Sequence, residues 1–316
     1  MLRELLSQVK TVAIGGHIRP DGDCAGSCLG LYQYIKEQEP QIEADLYLEE
    51  MADSFAFMES SDEILHEAKE EKIYDLFIAL DCGDAGRLGF SEPLFKKAKK
   101  TLCIDHHISN SSFADENIID PDASSTSEMV YRELPKDKIS KSTAECLYLG
   151  IVHDTGVFQY SCTSPETMEA AAELMRKGID AAEIIHRTFY EKTYAQNQIL
   201  GRSLLESILF LDKQCIAASV TRQEMDFYGV TPKDLEGIVS QLRVTRGVEV
   251  AVFMYETGAQ EFKVSLRSGG KVDVSRVAQY FGGGGHVKAA GFTMAGSIHD
   301  VLTNLAHQIE EQLNAE

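Results

Sequence analysis

The sequence predicts an α/β protein in which a doubly wound parallel sheet is followed by a smaller α/β domain. Apolar runs that alternate with helical patterns in the first part predict the parallel sheet. The length of 316 residues favours two domains over one. Residues 1–196 carry 19 basic and 36 acidic side chains, against 11 and 14 in residues 197–316, which supports a boundary near 190–200.

The first domain is predicted from strand and helix patterns that follow one another. Four short apolar runs are typical of buried strands, at 11–15, 44–48, 74–80 and 101–104. Helical patterns lie between or after them, at 25–37, 90–99, 125–134, 142–152 and 165–177. Because ligands bind beyond the carboxyl ends of the strands in such sheets, we expect functional residues directly after the strands.

The second domain is predicted from mixed strand and helix patterns. Residues 181–206 are helical in composition and predict a connecting helix. Strand patterns follow at 208–211, 216–220, 248–255 and 261–266, then a helix at 274–281, a glycine run at 282–285 and a terminal amphipathic helix at 297–313 capped by Ser297. We therefore expect domains at 1–188 and 206–316 with a helical linker at 189–205, and a cleft between the domains.

Composition excludes several classes of protein. A net charge of −20 and a pI near 4.9 oppose non-specific binding to duplex DNA. No apolar run reaches the roughly 20 residues that span a bilayer, and the N-terminus does not resemble a signal peptide. We therefore expect a cytoplasmic protein with no membrane partner. The seven cysteines include no CxxC pair, so we expect reduced thiols rather than a disulfide framework or a thiolate zinc site. Cys24 and Cys28 could share a metal ion, although two small core residues are the favoured interpretation.

A polyanionic substrate remains compatible with this charge if positive charge is local. Residues 240–292 carry 7 basic and 4 acidic side chains, so this strip is basic within an acidic chain. Bound metal ions would supply further positive charge.

Carboxylates and histidines follow the ends of the predicted strands. They are His17, Asp21 and Asp23 after the first strand, Asp81 after the third, Asp105, His106 and His107 after the fourth, and Asp154 after the helix predicted to end at 152. Carboxylates gathered at one sheet edge repel each other, and divalent cations offset that repulsion. Imidazole and carboxylate ligands favour Mn²⁺, with Mg²⁺ or Co²⁺ left open.

Together, these motifs resemble the DHH phosphoesterase superfamily over nearly the whole chain. The resemblance depends on His17-x3-Asp21-x-Asp23, on Asp81, on the Asp105-His106-His107 triplet and on Asp154. The later segments 282–286 and 289–292 resemble the glycine-rich motif of the DHH-associated domain. Domain order and length are most similar to oligoribonucleases of the NrnA type (nanoRNases), which also dephosphorylate 3′-phosphoadenosine 5′-phosphate.

The resemblance implies two metal ions in the first domain. One would be held by His17, Asp21 and Asp81. The other would be held by Asp23, Asp81, His106 and Asp154, with Asp81 bridging. His107 would face the scissile phosphate, and Asp105 would orient a histidine through its ring N–H. Such a pair of ions lowers the pKa of a water that attacks phosphorus.

Substrate recognition is assigned to the second domain. The resemblance places it at the glycine-rich motif, and the candidate residues are Arg267, Ser268, Gly283, Gly284, Gly285 and His286. Arginine can donate two hydrogen bonds to a terminal phosphate, and glycine N–H groups can line an anion site. Alternatives stay open at three places: the glycine run as a plain loop, Arg87 as a phosphate ligand or a partner of Asp84, and residues 125–127 as a helix cap or a substrate contact.

The expected activity is a metal-dependent phosphoesterase that converts short oligoribonucleotides to 5′-mononucleotides and 3′-phosphoadenosine 5′-phosphate to AMP. Cyclic or linear dinucleotides are the main alternative substrates, and pyrophosphate and long single strands are less favoured. A nucleotide-binding module without turnover is the alternative from another class. Partners would be short single-stranded RNA or nucleotides, not duplex DNA, and a homodimer is left open.

Overall fold

The computed structural model describes residues 1–69 and 71–314. They form two compact units, with the boundary between Glu191 and Lys192. The first unit contains a five-stranded parallel sheet in the order β2-β1-β3-β4-β5. Its strands are β1 (Thr11–Gly15), β2 (Glu43–Tyr47), β3 (Leu76–Leu80), β4 (Thr101–Asp105) and β5 (Glu116–Ile119). The strand order changes direction between β1 and β3, where doubly wound sheets bind ligands. The predicted α/β class is confirmed.

Both faces of this sheet are buried. Ile14 and Ile78 pack in the larger core cluster, whereas Ala13 and Phe77 pack in a separate cluster on the other face. Strands covered on both sides are apolar throughout, which explains why β1, β3 and β4 were predicted from sequence. Strand β5 was not predicted because its four residues are half polar and only partly buried.

The helices of the first unit are α1 (Leu2–Leu6), α2 (Gly22–Gln38), α3 (Glu92–Lys97), α4 (Thr126–Glu133), α5 (Lys141–Asp154), α6 (Pro165–Met175) and α7 (Ala181–Ile185). A π-helical turn, His186–Tyr190, follows α7. Helix α2 lies very close to α5, because a Cβ atom at Gly26 would stand 2.5 Å from the Cys146 carbonyl oxygen and 2.7 Å from the Gly150 nitrogen. Helix α5 extends through His153 and Asp154, so its predicted end at 152 was two residues short.

The second unit contains a six-stranded sheet in the order β10-β11-β9-β8-β7-β6. Its strands are β6 (Ile208–Phe210), β7 (Cys215–Val220), β8 (Val250–Gly258), β9 (Glu261–Ser268), β10 (Gly284–His286) and β11 (Ala289–Ala295). The β7–β8 pair is parallel and the other pairs are antiparallel. Its helices are α8 (Tyr194–Leu205), α9 (Arg222–Tyr228), α10 (Ile238–Arg243), α11 (Val274–Tyr280) and α12 (Ile298–Leu313).

Two cores lie on opposite faces of the second sheet. Val264 and Leu266 of β9 pack with residues of α11 and α12 on one face. Ala251 and Phe253 of β8 pack with residues of α8, α9 and α10 on the other. Helix α8, which overlaps the predicted linker, contributes Ile199 to this second core.

Several elements of the second unit differ from the prediction. The glycine run is not a plain loop, because Gly284 and Gly285 pair with Gly291 and Ala290 in an edge hairpin. Helices α9 and α10 were missed because they are only seven and six residues long. The predicted cap of the last helix is confirmed, since Ser297 accepts a hydrogen bond from the Asp300 N–H.

Candidate functional site

The predicted strand-end residues of the first unit lie together. Strands β1, β3 and β4 are neighbours in the sheet, so the loops that follow them share one edge. Asp154 reaches the same place from the last turn of α5 rather than from a loop after a helix, which corrects the sequence interpretation. The close packing of α5 against α2 explains this position.

His17 presents one ring nitrogen to two carboxylates. Its Nδ1 lies 2.9 Å from the Ile18 carbonyl oxygen, to which it can donate, so Nε2 remains available to a ligand. This Nε2 atom is 3.6 Å from Asp21 Oδ1 and 3.4 Å from Asp81 Oδ2. Asp21 also begins α2, because the same Oδ1 accepts from the N–H groups of Asp23 and Cys24. The first predicted ligand set is therefore gathered around His17.

Cys24 is closer to this group than the sequence analysis expected. Its Sγ lies within 4.8 Å of ligand atoms of His17 and Asp81. Burial raises the pKa of the Cys24 thiol well above its ordinary value, which opposes coordination as a thiolate. Cys28 is fully buried in the core cluster, in agreement with the favoured interpretation of both residues.

A second group of ligand atoms surrounds His106. Its Nε2 lies 3.0 Å from Asp154 Oδ2, 3.7 Å from Asp81 Oδ1 and 4.0 Å from Asp23 Oδ2. Asp23 is fully buried, and its carboxylate accepts the N–H groups of Thr126 and Ser127 at the start of α4. The helix start thus orients Asp23 and stabilises its negative charge.

Asp81 lies between the two groups. Its Oδ2 faces His17 and its Oδ1 faces His106, and Oδ1 also accepts from the Thr126 hydroxyl at 3.2 Å. The backbone of Asp81 is left-handed, with φ of 56°, which is uncommon for a residue other than glycine. Such conformations concentrate at functional sites. The geometry suits one carboxylate shared between two cations.

The buried carboxylates of these two ligand groups need positive charge beside them. Burial raises the pKa of Asp23 well above its ordinary range, and the charges of Asp81 and Asp154 raise it further. Burial lowers the pKa of His17, but Asp21 and Asp81 outweigh it and raise the pKa to about 12. Burial also lowers the pKa of His106, but Asp154 and Asp23 raise it to about 10. Divalent cations would replace these protons, and the nitrogen and oxygen donors fit such ions.

His107 is held by a buried carboxylate. Its Nδ1 lies 2.7 Å from Asp105 Oδ1 and 3.6 Å from Asp81 Oδ1. Asp105 is fully buried, and its other oxygen accepts from Asn110 Nδ2 at 2.6 Å. The hydrogen bond to Asp105 raises the pKa of His107. Asn110 was missed from the sequence, although an amide three residues after His107 was a usable signal.

The substrate residues predicted in the second unit are only partly brought together. Arg267 pairs with Ala289, and Ala289 pairs with His286, so all three lie in one cross-strand row on the same face. Ser268 is not beside them, since it is buried and its hydroxyl lies 3.0 Å from Glu249 Oε1 and 2.6 Å from the Val272 carbonyl oxygen.

The glycines of this motif have two structural roles. A Cβ atom at Gly283 would stand 2.3 Å from the Gly291 carbonyl oxygen, and one at Gly285 would stand 2.5 Å from the Ala289 carbonyl oxygen. Gly285 also has a φ of 145°. Gly284 has open space where its Cβ would be. The hairpin thus requires glycine at two positions, and the third keeps its surface flat.

The structure bears on two of the open alternatives. Ser125 accepts the Glu128 N–H and caps α4, which confirms the cap interpretation for that residue. Among the described residues, Arg87 makes no ion pair with Asp84, and its Nε is buried without a hydrogen-bond partner. Thr126 and Ser127, for which a cap and a substrate contact were both left open, donate their backbone N–H groups to Asp23.

Comparison with known proteins agrees with the two-unit organisation. Residues 11–151 match the N-terminal domain of the DHH family, and residues 212–315 match the DHHA1 domain. The chain is 29% identical over 324 residues to the bifunctional oligoribonuclease and PAP phosphatase NrnA of Thermus thermophilus, covering 99% of this chain and 94% of that protein. The Bacillus subtilis protein of the same name is 26% identical over 292 residues, covering 90% of each.

A solved structure shows the same fold. The crystal structure of an exopolyphosphatase-related protein from Bacteroides fragilis matches with a TM-score of 0.91 and 27% identity, covering 98% of this chain and 94% of that one. Within residues 1–69 and 71–314, no helix has the length and apolar character needed to cross a membrane.

Proposed function

Because this chain belongs to the DHH family and is a phosphoesterase with a DHHA1 domain, we propose that it hydrolyses short oligoribonucleotides and 3′-phosphoadenosine 5′-phosphate. The products would be 5′-mononucleotides and AMP. The relatives named for both activities match over nearly the full length of this chain, which supports the proposal. The family membership expected from the motifs is confirmed.

The observation that carries the proposal is the position of Asp81. Its two carboxylate oxygens face His17 on one side and His106 on the other. We propose two Mn²⁺ ions, with Mg²⁺ or Co²⁺ as alternatives, held by the predicted ligands His17, Asp21, Asp23, Asp81, His106 and Asp154. Bound at these positions, the ions would activate water and offset charge on the phosphate.

Two further side chains would contact the phosphate or orient the group that does so. His107 is a hydrogen-bond donor or cation placed 3.6 Å from Asp81, where it can contact a phosphate oxygen at the same centre. Asp105 keeps the Nδ1 proton of His107 in place and so leaves Nε2 to face the substrate. No protein nucleophile is required by this arrangement.

The DHHA1 unit would recognise the rest of the substrate. Arg267 and His286 share one row of the sheet and supply positive charge or hydrogen bonds to a phosphate. We propose that Gly283, Gly284 and Gly285 shape this surface. The Ser268 hydroxyl already lies within hydrogen-bonding distance of Glu249 and of the Val272 carbonyl oxygen, so we propose that Ser268 supports the end of β9 rather than contacting the substrate directly.

The proposed setting follows from charge and cysteine chemistry. All seven cysteines are free, which is typical of a reducing compartment, so we propose a cytoplasmic enzyme. A net charge of −20 opposes duplex DNA as a partner. A homodimer remains an option for the assembly.

The proposal is tested by hydrolysis of a substrate panel with Mn²⁺. The panel contains a pentaribonucleotide, a diribonucleotide, 3′-phosphoadenosine 5′-phosphate, cyclic di-AMP and pyrophosphate. We expect mononucleotides and AMP from the first three with wild type and none with Asp81→Ala. Asp84→Ala is the matched control, because this nearby aspartate is exposed and lies outside the ligand groups.

Three outcomes would overturn the proposal. Turnover of cyclic di-AMP alone would assign the enzyme to cyclic dinucleotides. Binding of nucleotides without hydrolysis by metal-loaded protein would identify a binding module. Equal activity of Asp81→Ala and wild type would show that the carboxylate group is not the reaction centre.

A further inference from the structure

One half of a sheet face in the DHHA1 unit is exposed. The covered half belongs to β8, whose Ala251, Phe253 and Tyr255 pack with the helical core on that side. The paired residues on β9 are Arg267, Ser265 and Lys263, of which Arg267 and Ser265 are half-buried and Lys263 is exposed. Beyond β9, the same face continues across β11 and β10.

Small residues keep the centre of this exposed face flat. Ser265 pairs with Gly291, and Gly291 pairs with Gly284, so one row holds no side chain larger than serine. Gly284 has nothing within 4 Å of the position that a Cβ would take. A sugar-phosphate chain can therefore approach the sheet closely here.

Two positions of β9 on this face carry positive charge. Arg267 stands at the end that pairs with Ala289, beside His286 across the hairpin. Lys263 stands four residues away on the same face, and it has no ion pair with any described residue.

The spacing of the two basic residues corresponds to a short strand of nucleotides. Four residues of a β-strand span about 13 Å. Stacked nucleotides rise roughly 3.4 Å each along one strand, so this distance covers about four of them, and fewer when the strand is extended. A dinucleotide anchored at Arg267 would not reach Lys263, whereas a pentanucleotide would.

An acidic residue bounds this surface. Glu261 lies two residues beyond Lys263 on the same face, and its Oε1 accepts from the Thr257 hydroxyl at 2.8 Å. A phosphate chain would be repelled from that point onward. The arrangement therefore suits a short anion rather than a long one.

We propose that Lys263 is a length-specificity residue: it binds a phosphate remote from Arg267 and so favours oligoribonucleotides over dinucleotides. The inference rests on the proposed function and adds to it a residue that the family motifs do not include. The occupant is the phosphate backbone of single-stranded RNA, because charge and flatness, rather than aromatic side chains, mark this face. The contact is independent of base sequence.

Equilibrium binding of the full chain tests the proposal. A fluorescent pentaribonucleotide and a matching dinucleotide are titrated in EDTA, so that neither is hydrolysed, at several salt concentrations. We expect Lys263→Ala to weaken pentanucleotide binding several-fold and to reduce the slope of log K against log salt by about 0.7, the value for one lost phosphate contact on a single strand. The ratio of the two dissociation constants shifts towards the dinucleotide.

A control and a gain-of-function variant make the test decisive. Lys233→Ala removes an exposed lysine elsewhere in the same unit and should leave both affinities unchanged. Thr293→Lys adds a charge at the exposed position that pairs with Lys263, and should strengthen pentanucleotide binding and steepen the salt slope. A fold defect could not produce that gain.

The possible failures are separable. If wild type hydrolyses the panel but Lys263→Ala and Thr293→Lys both bind the pentanucleotide as wild type does, the length-specificity proposal is wrong and the proposed function stands. If wild type hydrolyses no oligoribonucleotide, the proposed function itself is wrong. A loss for Lys263→Ala that is equal for dinucleotide and pentanucleotide would also overturn the role in length selection.

Discussion

At the scale of single residues, the site depends on contacts that strand-end patterns can only partly reveal. His17, Asp81 and His106 were predictable because the carboxyl ends of neighbouring parallel strands meet at one edge. Asn110 and the backbone of Thr126 were not, because the first acts through a loop that folds back and the second through the approach of α4. Sequence patterns therefore identify the candidate metal ligands better than they identify the residues that orient those ligands.

The Asp105 carboxylate provides a test of such support. Asp105→Asn should reduce kcat by about 10- to 100-fold with little change in KM, because His107 loses its charged partner while the ligand groups stay intact. Steady-state kinetics together with metal content measured by elemental analysis check this. Asp115→Asn, which removes a carboxylate that accepts from Thr101 away from the site, is the control. Loss of bound metal in Asp105→Asn would contradict the assigned role.

Asp75 gives a prediction on pH and stability. Its pKa is held at about 2 by Lys99 and by the N–H groups of Lys10 and Thr11, against an ordinary value of 3.8. Because the unfolded chain binds this proton more tightly, the stabilisation is complete above about pH 4 and disappears as the pH falls towards 2. Urea unfolding should show Asp75→Asn less stable than wild type at pH 7, with a difference that shrinks below pH 4. A constant difference would contradict this.

At the scale of elements, the helix pair α2 and α5 positions the carboxylates. Asp21 and Asp23 stand at the start of α2, and Asp154 stands at the end of α5. Both helices were predicted within a few residues, whereas β10 and β11 were missed because glycine and alanine dominate them. The close approach of α2 and α5 depends on Gly26 and Gly150, and hydrophobic periodicity in the sequence does not identify such contacts.

Gly26→Ala should therefore destabilise the first unit. The new methyl group would meet backbone atoms of α5, which cannot move aside as a flexible side chain can, and we expect a loss of about 1–3 kcal/mol. Gly201→Ala, in α8 with nothing within 4 Å, should be neutral or stabilising by up to about 1 kcal/mol. Urea unfolding of both variants measures the difference. An equal effect of the two substitutions would show that the helix contact is not tight.

At the scale of the whole molecule, the charge of −20 is unevenly distributed. The first unit gathers buried carboxylates in its ligand groups, whereas the second carries the basic strip. The two-domain organisation was predictable from this change of charge and from the change of strand pattern. The exposed half of the second sheet was not predictable from the sequence, because the position of the helices decides which part of a sheet face is buried.

Metal binding should stabilise the units differently. Mn²⁺ at 100 times its dissociation constant should add about 2.7 kcal/mol to the free energy of unfolding of the unit that binds it. Hydrogen exchange of the full chain, followed by mass spectrometry, should show increased protection in β1, β3 and α2 relative to EDTA, and none in β8 or β9. Equal protection throughout the second unit would contradict a metal centre confined to the first.

The Asp21 oxygen that caps α2 has a spectroscopic consequence. The same Oδ1 accepts the amide protons of Asp23 and Cys24 and faces the His17 ring nitrogen. A cation that draws on this oxygen weakens both amide hydrogen bonds at once. The amide resonances of Asp23 and Cys24 thus become internal reporters for the ligand group that contains Asp21: a diamagnetic ion such as Mg²⁺ should shift both when it binds there, and its occupancy can be read from the first turn of a helix.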